Sequence, residues 1–122
     1  MELELDEILQ KGIEAYGAGQ VPEAERLFDQ ILRSQPDHPD ANHKMGKLAF
    51  GEDRVEEALA YFKIALIADP NEGEYWLNYI DALLELNKLD DAKAVFDQAR
   101  YQGAKGEAFD LIGKRLSEPN VS

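Results

Sequence analysis

Apolar residues recur along this chain at intervals of three and four, the spacing that gathers side chains on one face of a helix. Ala24, Phe28 and Ile31 form one such stripe, Ala58, Phe62 and Ala65 a second, and Ala92, Phe96 and Ala99 a third. The stripes and the breaks between them predict seven helices, at about 3–17, 21–34, 38–50, 55–68, 72–85, 89–102 and 106–117. An all-α chain follows.

The three stripes lie 34 residues apart. Self-similarity at that period marks stacked helix pairs, each too small to bury its apolar face alone. The alanine of each stripe lets two helices approach closely, and the phenylalanine four residues on fills the wider gap beside it. Gly12 and Gly46 stand in register in the first helices and suit a close crossing, whereas the third copy has Ile80, which predicts a splayed pair or a contact with the last helix. Short turns are expected at Gly17–Gln20, Gly51–Arg54 and Glu85–Lys88, with Pro22 in a first helical turn where no donor is needed. Pro36 and Pro70 stop second helices, Asp37 and Asn71 are placed to cap the helices that follow, and paired acids (Glu23 and Glu25, Glu56 and Glu57, Asp90 and Asp91) open each second helix, where its dipole favours them.

The 34-residue period, the glycines at 12 and 46, the pairs Ala24–Phe28, Ala58–Phe62 and Ala92–Phe96, and the prolines at 36 and 70 resemble the tetratricopeptide repeat (TPR) pattern. Trp76 stands where that pattern has its tryptophan, with Ile8 and Asn42 in the other copies. The resemblance implies an α-solenoid of three helix-turn-helix repeats, at about 5–38, 39–72 and 73–106, closed by a capping helix at about 106–117, in one domain spanning 1–122. In the capping helix Phe109, Leu111, Ile112 and Leu116 share one side. A looser resemblance of Tyr75–Leu83 and Tyr101–Glu107 to TPR segments fused to bacterial glycosyltransferases, methyltransferases and sulfotransferases implies a fragment of a longer protein, with chemistry elsewhere.

Composition narrows the function. With no cysteine, disulfides and thiolate chemistry are excluded, and a cytoplasmic location is the expectation. No apolar run approaches the roughly 20 residues of a membrane span, and the acidic start does not read as a secretory signal. A net charge of -12 repels nucleic-acid phosphate and anionic lipid, so neither is an expected partner.

Enzymatic residues are not expected. Ser34 ends a helix and Ser122 the chain, there is no threonine, and no glycine-rich loop follows a strand. His38 and His43 lie five apart, off the spacing that puts two ligands on one helix face, and read as surface groups; no metal and no cofactor is predicted. Asn120–Ser122 matches a glycosylation acceptor by coincidence. Tyr61, Tyr75, Trp76, Tyr79 and Tyr101 read as core packing.

The TPR resemblance implies that first helices line a concave groove. Taking Ile8, Gly12 and Ala15 as buried, the groove-facing flank carries Leu9, Ile13 and Tyr16; the same register gives His43, Lys47 and Phe50, then Leu77, Asp81 and Leu84 with Asn78 beside them. TPR proteins that hold acidic chaperone tails use a clamp of lysines, asparagines and arginine there, and Leu9 and Ile13 occupy two of its places. The expected function is therefore a protein-interaction scaffold for an apolar or amphipathic peptide, loop or helix. Two alternatives stay open: a regulatory or substrate-positioning appendage of a larger transferase, and a module that self-associates as a homodimer through the apolar N-terminal edge of Leu3, Leu5, Ile8 and Leu9.

Overall fold

The computed structural model describes residues 4–117. Within them the helices are α1 (Leu5–Gly17), α2 (Val21–Ser34), α3 (Pro39–Gly51), α4 (Val55–Ala68), α5 (Gly73–Glu85), α6 (Leu89–Tyr101) and α7 (Glu107–Ser117). First helices start at 5, 39, 73 and 107, and second helices at 21, 55 and 89, so the period seen in the side chains also sets the backbone. α1 with α2, α3 with α4, and α5 with α6 form the three pairs, and α7 occupies the place of a fourth first helix. Leu3 and the Asn120–Ser122 motif lie outside the described residues.

The turn inside each pair repeats as faithfully. Gly19, Asp53 and Asn87 all adopt left-handed backbone angles, with φ of 78°, 63° and 59°. In each turn the next residue donates its N–H back into the helix just ended, Gln20 to Ala15, Arg54 to Ala49 and Lys88 to Leu83, at 2.8–2.9 Å. This is the glycine-type helix stop, and asparagine and aspartate are the residues that tolerate it best after glycine.

Packing follows the stripes. Ala24, Ala58 and Ala92 are fully buried, as are Phe28, Ile31, Ala65 and Ala99, with Phe62 nearly so. A Cβ placed on Gly12 would lie 2.5 Å from Cε1 of Phe28, and one on Gly46 would lie 2.5 Å from Cδ1 of Phe62. Each glycine thus opens the slot that its own pair's phenylalanine fills. In the third pair Ile80 stands in place of the glycine, and Phe96 lies against α7, where a Cβ on Gly113 would meet its Cζ at 2.9 Å. Phe96 also packs on Phe109 with centroids 6.2 Å apart, which ties α7 to the stack.

Repeats are joined at the prolines. The Trp76 indole N–H donates to the Pro70 carbonyl at 2.8 Å, and 34 residues earlier the Asn42 amide donates to the Pro36 carbonyl at 3.0 Å and to the His38 carbonyl at 2.8 Å. A tryptophan and an asparagine thus satisfy the same backbone acceptor in successive repeats.

Three sequence expectations are corrected. The cap of α3 is His38, whose Nδ1 accepts the Ala41 N–H at 3.1 Å, and not Asp37. Asn71 does not cap α5; Glu72 occupies that position, and Asn71 donates its N–H to Asp69. Tyr101 is almost wholly exposed rather than core, while Tyr75 and Trp76 are buried.

The central crossing gives a test. Phe62→Ala leaves a cavity beneath Gly46 and is expected to cost about 3–5 kcal/mol in chemical denaturation; a loss below about 1 kcal/mol would place Phe62 outside the core.

Candidate functional site

The first helices bring one set of side chains together. Tyr16 from α1, Lys47, Phe50 and Gly51 from α3, and Asn78 and Asp81 from α5 surround a cavity of about 170 Å³ floored by Phe62. Three successive repeats contribute to it because the same register position recurs at each first helix. Of the residues expected in the groove, Tyr16, Lys47, Phe50, Asn78 and Asp81 meet in this way.

The others do not line it. Leu9 and Ile13 lie half-buried against the core of the first repeat, and Leu77 against that of the third. Leu84 is buried in the same cluster as Phe109 and Leu116. His43 is the largest departure, at 1% exposed, where the sequence reading has it first as a surface group and then as a groove contact. Its register equivalents Leu9 and Leu77 sit half-buried, but the middle repeat is covered from both sides. The N-terminal edge is also largely consumed by its own fold: Ile8 is buried and Leu5 and Leu9 pack on the first core cluster.

His43 nevertheless shapes the groove. Its Nε2–H donates to the Asn78 Oδ1 at 2.5 Å, its ring packs 4.7 Å from that of Tyr75, and its Nδ1 has no partner. With Oδ1 engaged, the Asn78 amide N–H groups are left as donors toward the cavity. Burial holds the imidazole below its ordinary value of 6.5, outweighing the Asn78 hydrogen bond and the Glu74 carboxylate, which act upward. His43 is therefore a neutral positioning residue.

Glu74 joins the two polar sides, with Oε1 3.7 Å from Lys47 Nζ and 3.7 Å from His43 Nε2. Asp81, although exposed, loses part of its hydration to the groove walls, which raises its carboxyl above the ordinary value against the opposing pull of Arg115. Sequence reasoning missed Glu74; it also placed Leu111 on one side of the last helix with Phe109 and Leu116, whereas those two are buried and Leu111 is largely exposed, standing with Arg115 at positions 34 residues after Leu77 and Asp81. The period itself was the signal that locates them.

The described residues contain no group of three or more histidines and carboxylates arranged for a metal ion. His38 and His43 do not converge, since one caps α3 and the other turns to Asn78. Ser117, a hydroxyl overlooked in the sequence, donates to the Lys114 carbonyl at the end of α7. No helix among the described residues is long and apolar enough to cross a membrane.

Buried His43 makes stability depend on pH. The unfolded chain protonates it below about 6.5 while the fold keeps it neutral, so stability falls as pH drops through that value. The melting temperature of the native chain should fall more between about pH 7.5 and 5.5 than that of His43→Gln; parallel curves would contradict a neutral buried imidazole.

Family models for the tetratricopeptide repeat match residues 9–71 and 49–114. No curated protein sequence matches the chain. The first TPR of Spaghetti (RPAP3) bound to the HSP90 peptide SRMEEVD is 15% identical, with a TM-score of 0.82 over 93% of this chain and 90% of that one. The TPR2B domain of yeast Sti1 in complex with pHsp70 is 18% identical, with a TM-score of 0.81 over 93% and 95%. The Yersinia enterocolitica type III secretion chaperone SycD, in complex with a peptide of the translocator YopD, is 16% identical, with a TM-score of 0.76 over 93% and 86%. At these identities the likeness is one of fold.

Proposed function

Because the chain belongs to the tetratricopeptide repeat family, we propose that it is a protein-interaction module that holds a peptide, loop or helix of a partner across its first helices. The observation that carries this reading is the convergence of Tyr16, Lys47, Phe50, Asn78 and Asp81, from three successive repeats, on one cavity. Two of the structurally similar proteins hold peptides, of HSP90 and of YopD.

The chemistry of the cavity describes what it accepts. Tyr16, Phe50 and the Phe62 ring offer an aromatic wall for one apolar side chain, while the Asn78 amide and Lys47 donate to backbone carbonyls and Asp81 accepts a backbone or side-chain N–H. A polar fringe around an apolar centre is the usual arrangement of such sites. The groove carries one lysine, balanced by Glu74 and Asp81, so it lacks the cationic excess that a strongly acidic tail requires. An apolar or amphipathic segment anchored by a few hydrogen bonds fits it better.

Peptides selected from a displayed library on the native chain supply the test. Combining Phe50→Ala with Lys47→Glu should weaken the selected peptides at least tenfold, about 1.4 kcal/mol, with circular dichroism and melting unchanged. Peptides that bind the double variant undiminished would move the site off the first helices.

A further inference from the structure

α7 is a first helix for which the described residues contain no second helix. Where α2, α4 and α6 lie beside α1, α3 and α5, α7 instead borders an open cleft of about 890 Å³ against α6. The cleft lies beside α7 on its α6 side, and its floor includes the rings of Phe96 and Phe109.

Its charge is opposite to that of the rest of the molecule. Four bases, Lys93, Arg100, Lys105 and Lys114, line it against two acids, Asp97 and Asp110, whereas the whole chain has 13 bases against 25 acids. Elsewhere Arg26, Arg33, Lys44, Lys47 and Arg54 reach a carboxylate at 2.6–3.7 Å, while Lys11, Lys63, Lys88 and Arg115 form no ion pair among the described residues. Among the described residues none of the four bases in the cleft forms an ion pair, and Arg100 instead lies over the Phe96 ring at 5.8 Å. The overall negative charge does not forbid an acidic occupant, because surface charges further away than about 8 Å are largely screened at physiological salt.

We propose that this cleft is a second docking site, separate from the groove, which takes an acidic amphipathic helix supplied in trans and laid along α7. Two features select that occupant. The site's place in the stack, where the other first helices carry a helix partner, selects a helix. The excess of bases in the lining selects acids, and the second helices already in the stack open with acids in their first turns, Glu23, Glu56 with Glu57, and Asp90 with Asp91. An apolar stripe on the occupant would lie on the aromatic floor while its acidic flanks reach Lys93, Lys105 and Lys114.

The probe is a fluorescently labelled helical peptide of alanine, leucine and glutamate, about 18 residues long so that it holds a helix in water, with leucines along one face. Its affinity for the native chain is read by anisotropy at low and at physiological salt, beside the same peptide with lysine in place of glutamate. Binding that weakens with salt, excludes the lysine peptide, and falls at least tenfold when Lys93→Glu is combined with Lys114→Glu is expected. The Phe50→Ala and Lys47→Glu pair should leave it unchanged, which separates this site from the groove. Amide shifts on titration should map to α6 and α7, a readout that needs no variant. No binding at millimolar peptide, equal binding of the lysine peptide, full affinity in the charge-reversed chain, or shifts confined to α1, α3 and α5 would each overturn the proposal.

Discussion

The stack depends on how closely the two helices of each pair cross. Gly12 and Gly46 remove the side chain at the point where Phe28 and Phe62 insert, and alanines at 24 and 58 keep the second helices equally near. Close-packed interiors do not absorb a mismatch at such a crossing gradually. The third pair has the buried Ile80 in place of the glycine, and there Phe96 packs against Gly113 and Phe109 of α7.

Much of the fold was legible because two independent signals carried the same period. The stripe of alanine and phenylalanine and the turn residues at 19, 53 and 87 both repeat at 34, and local pattern agrees with global packing. The site was less legible. A helical register states which face a residue occupies but not how many neighbours cover that face. Leu9, His43 and Leu77 are equivalent in sequence, yet only His43 lies between two covering repeats and is buried. Leu84 follows Tyr16 and Phe50 in register and is sealed by its cluster with Phe109 and Leu116. The capping role of His38 was hidden for a different reason: Asp37 is the better cap by type, but the position one residue on is the one that meets the Ala41 N–H.

Burial of His43 also explains how a polar residue contributes to the groove without touching its contents. A neutral imidazole fixes the Asn78 amide in one orientation, and Glu74 links that pair to Lys47. In the proposed function these contacts would set the groove in advance, which reduces the ordering cost of binding. The cleft beside α7 has the contrary character, with long basic side chains that form no ion pair among the described residues. The described residues thus present a nearly balanced surface across α1, α3 and α5, and a basic one at α7.

The crossing itself is the central claim, and a double-mutant cycle at Gly46 and Phe62 tests it most directly. Gly46→Leu alone should strain the pair and Phe62→Ala alone should leave a cavity, but together the leucine enters the space the ring vacates. The double variant should then be more stable than the sum of the single losses by at least about 1 kcal/mol. Losses that simply add would show that the glycine and the phenylalanine do not share a slot, and would contradict the account.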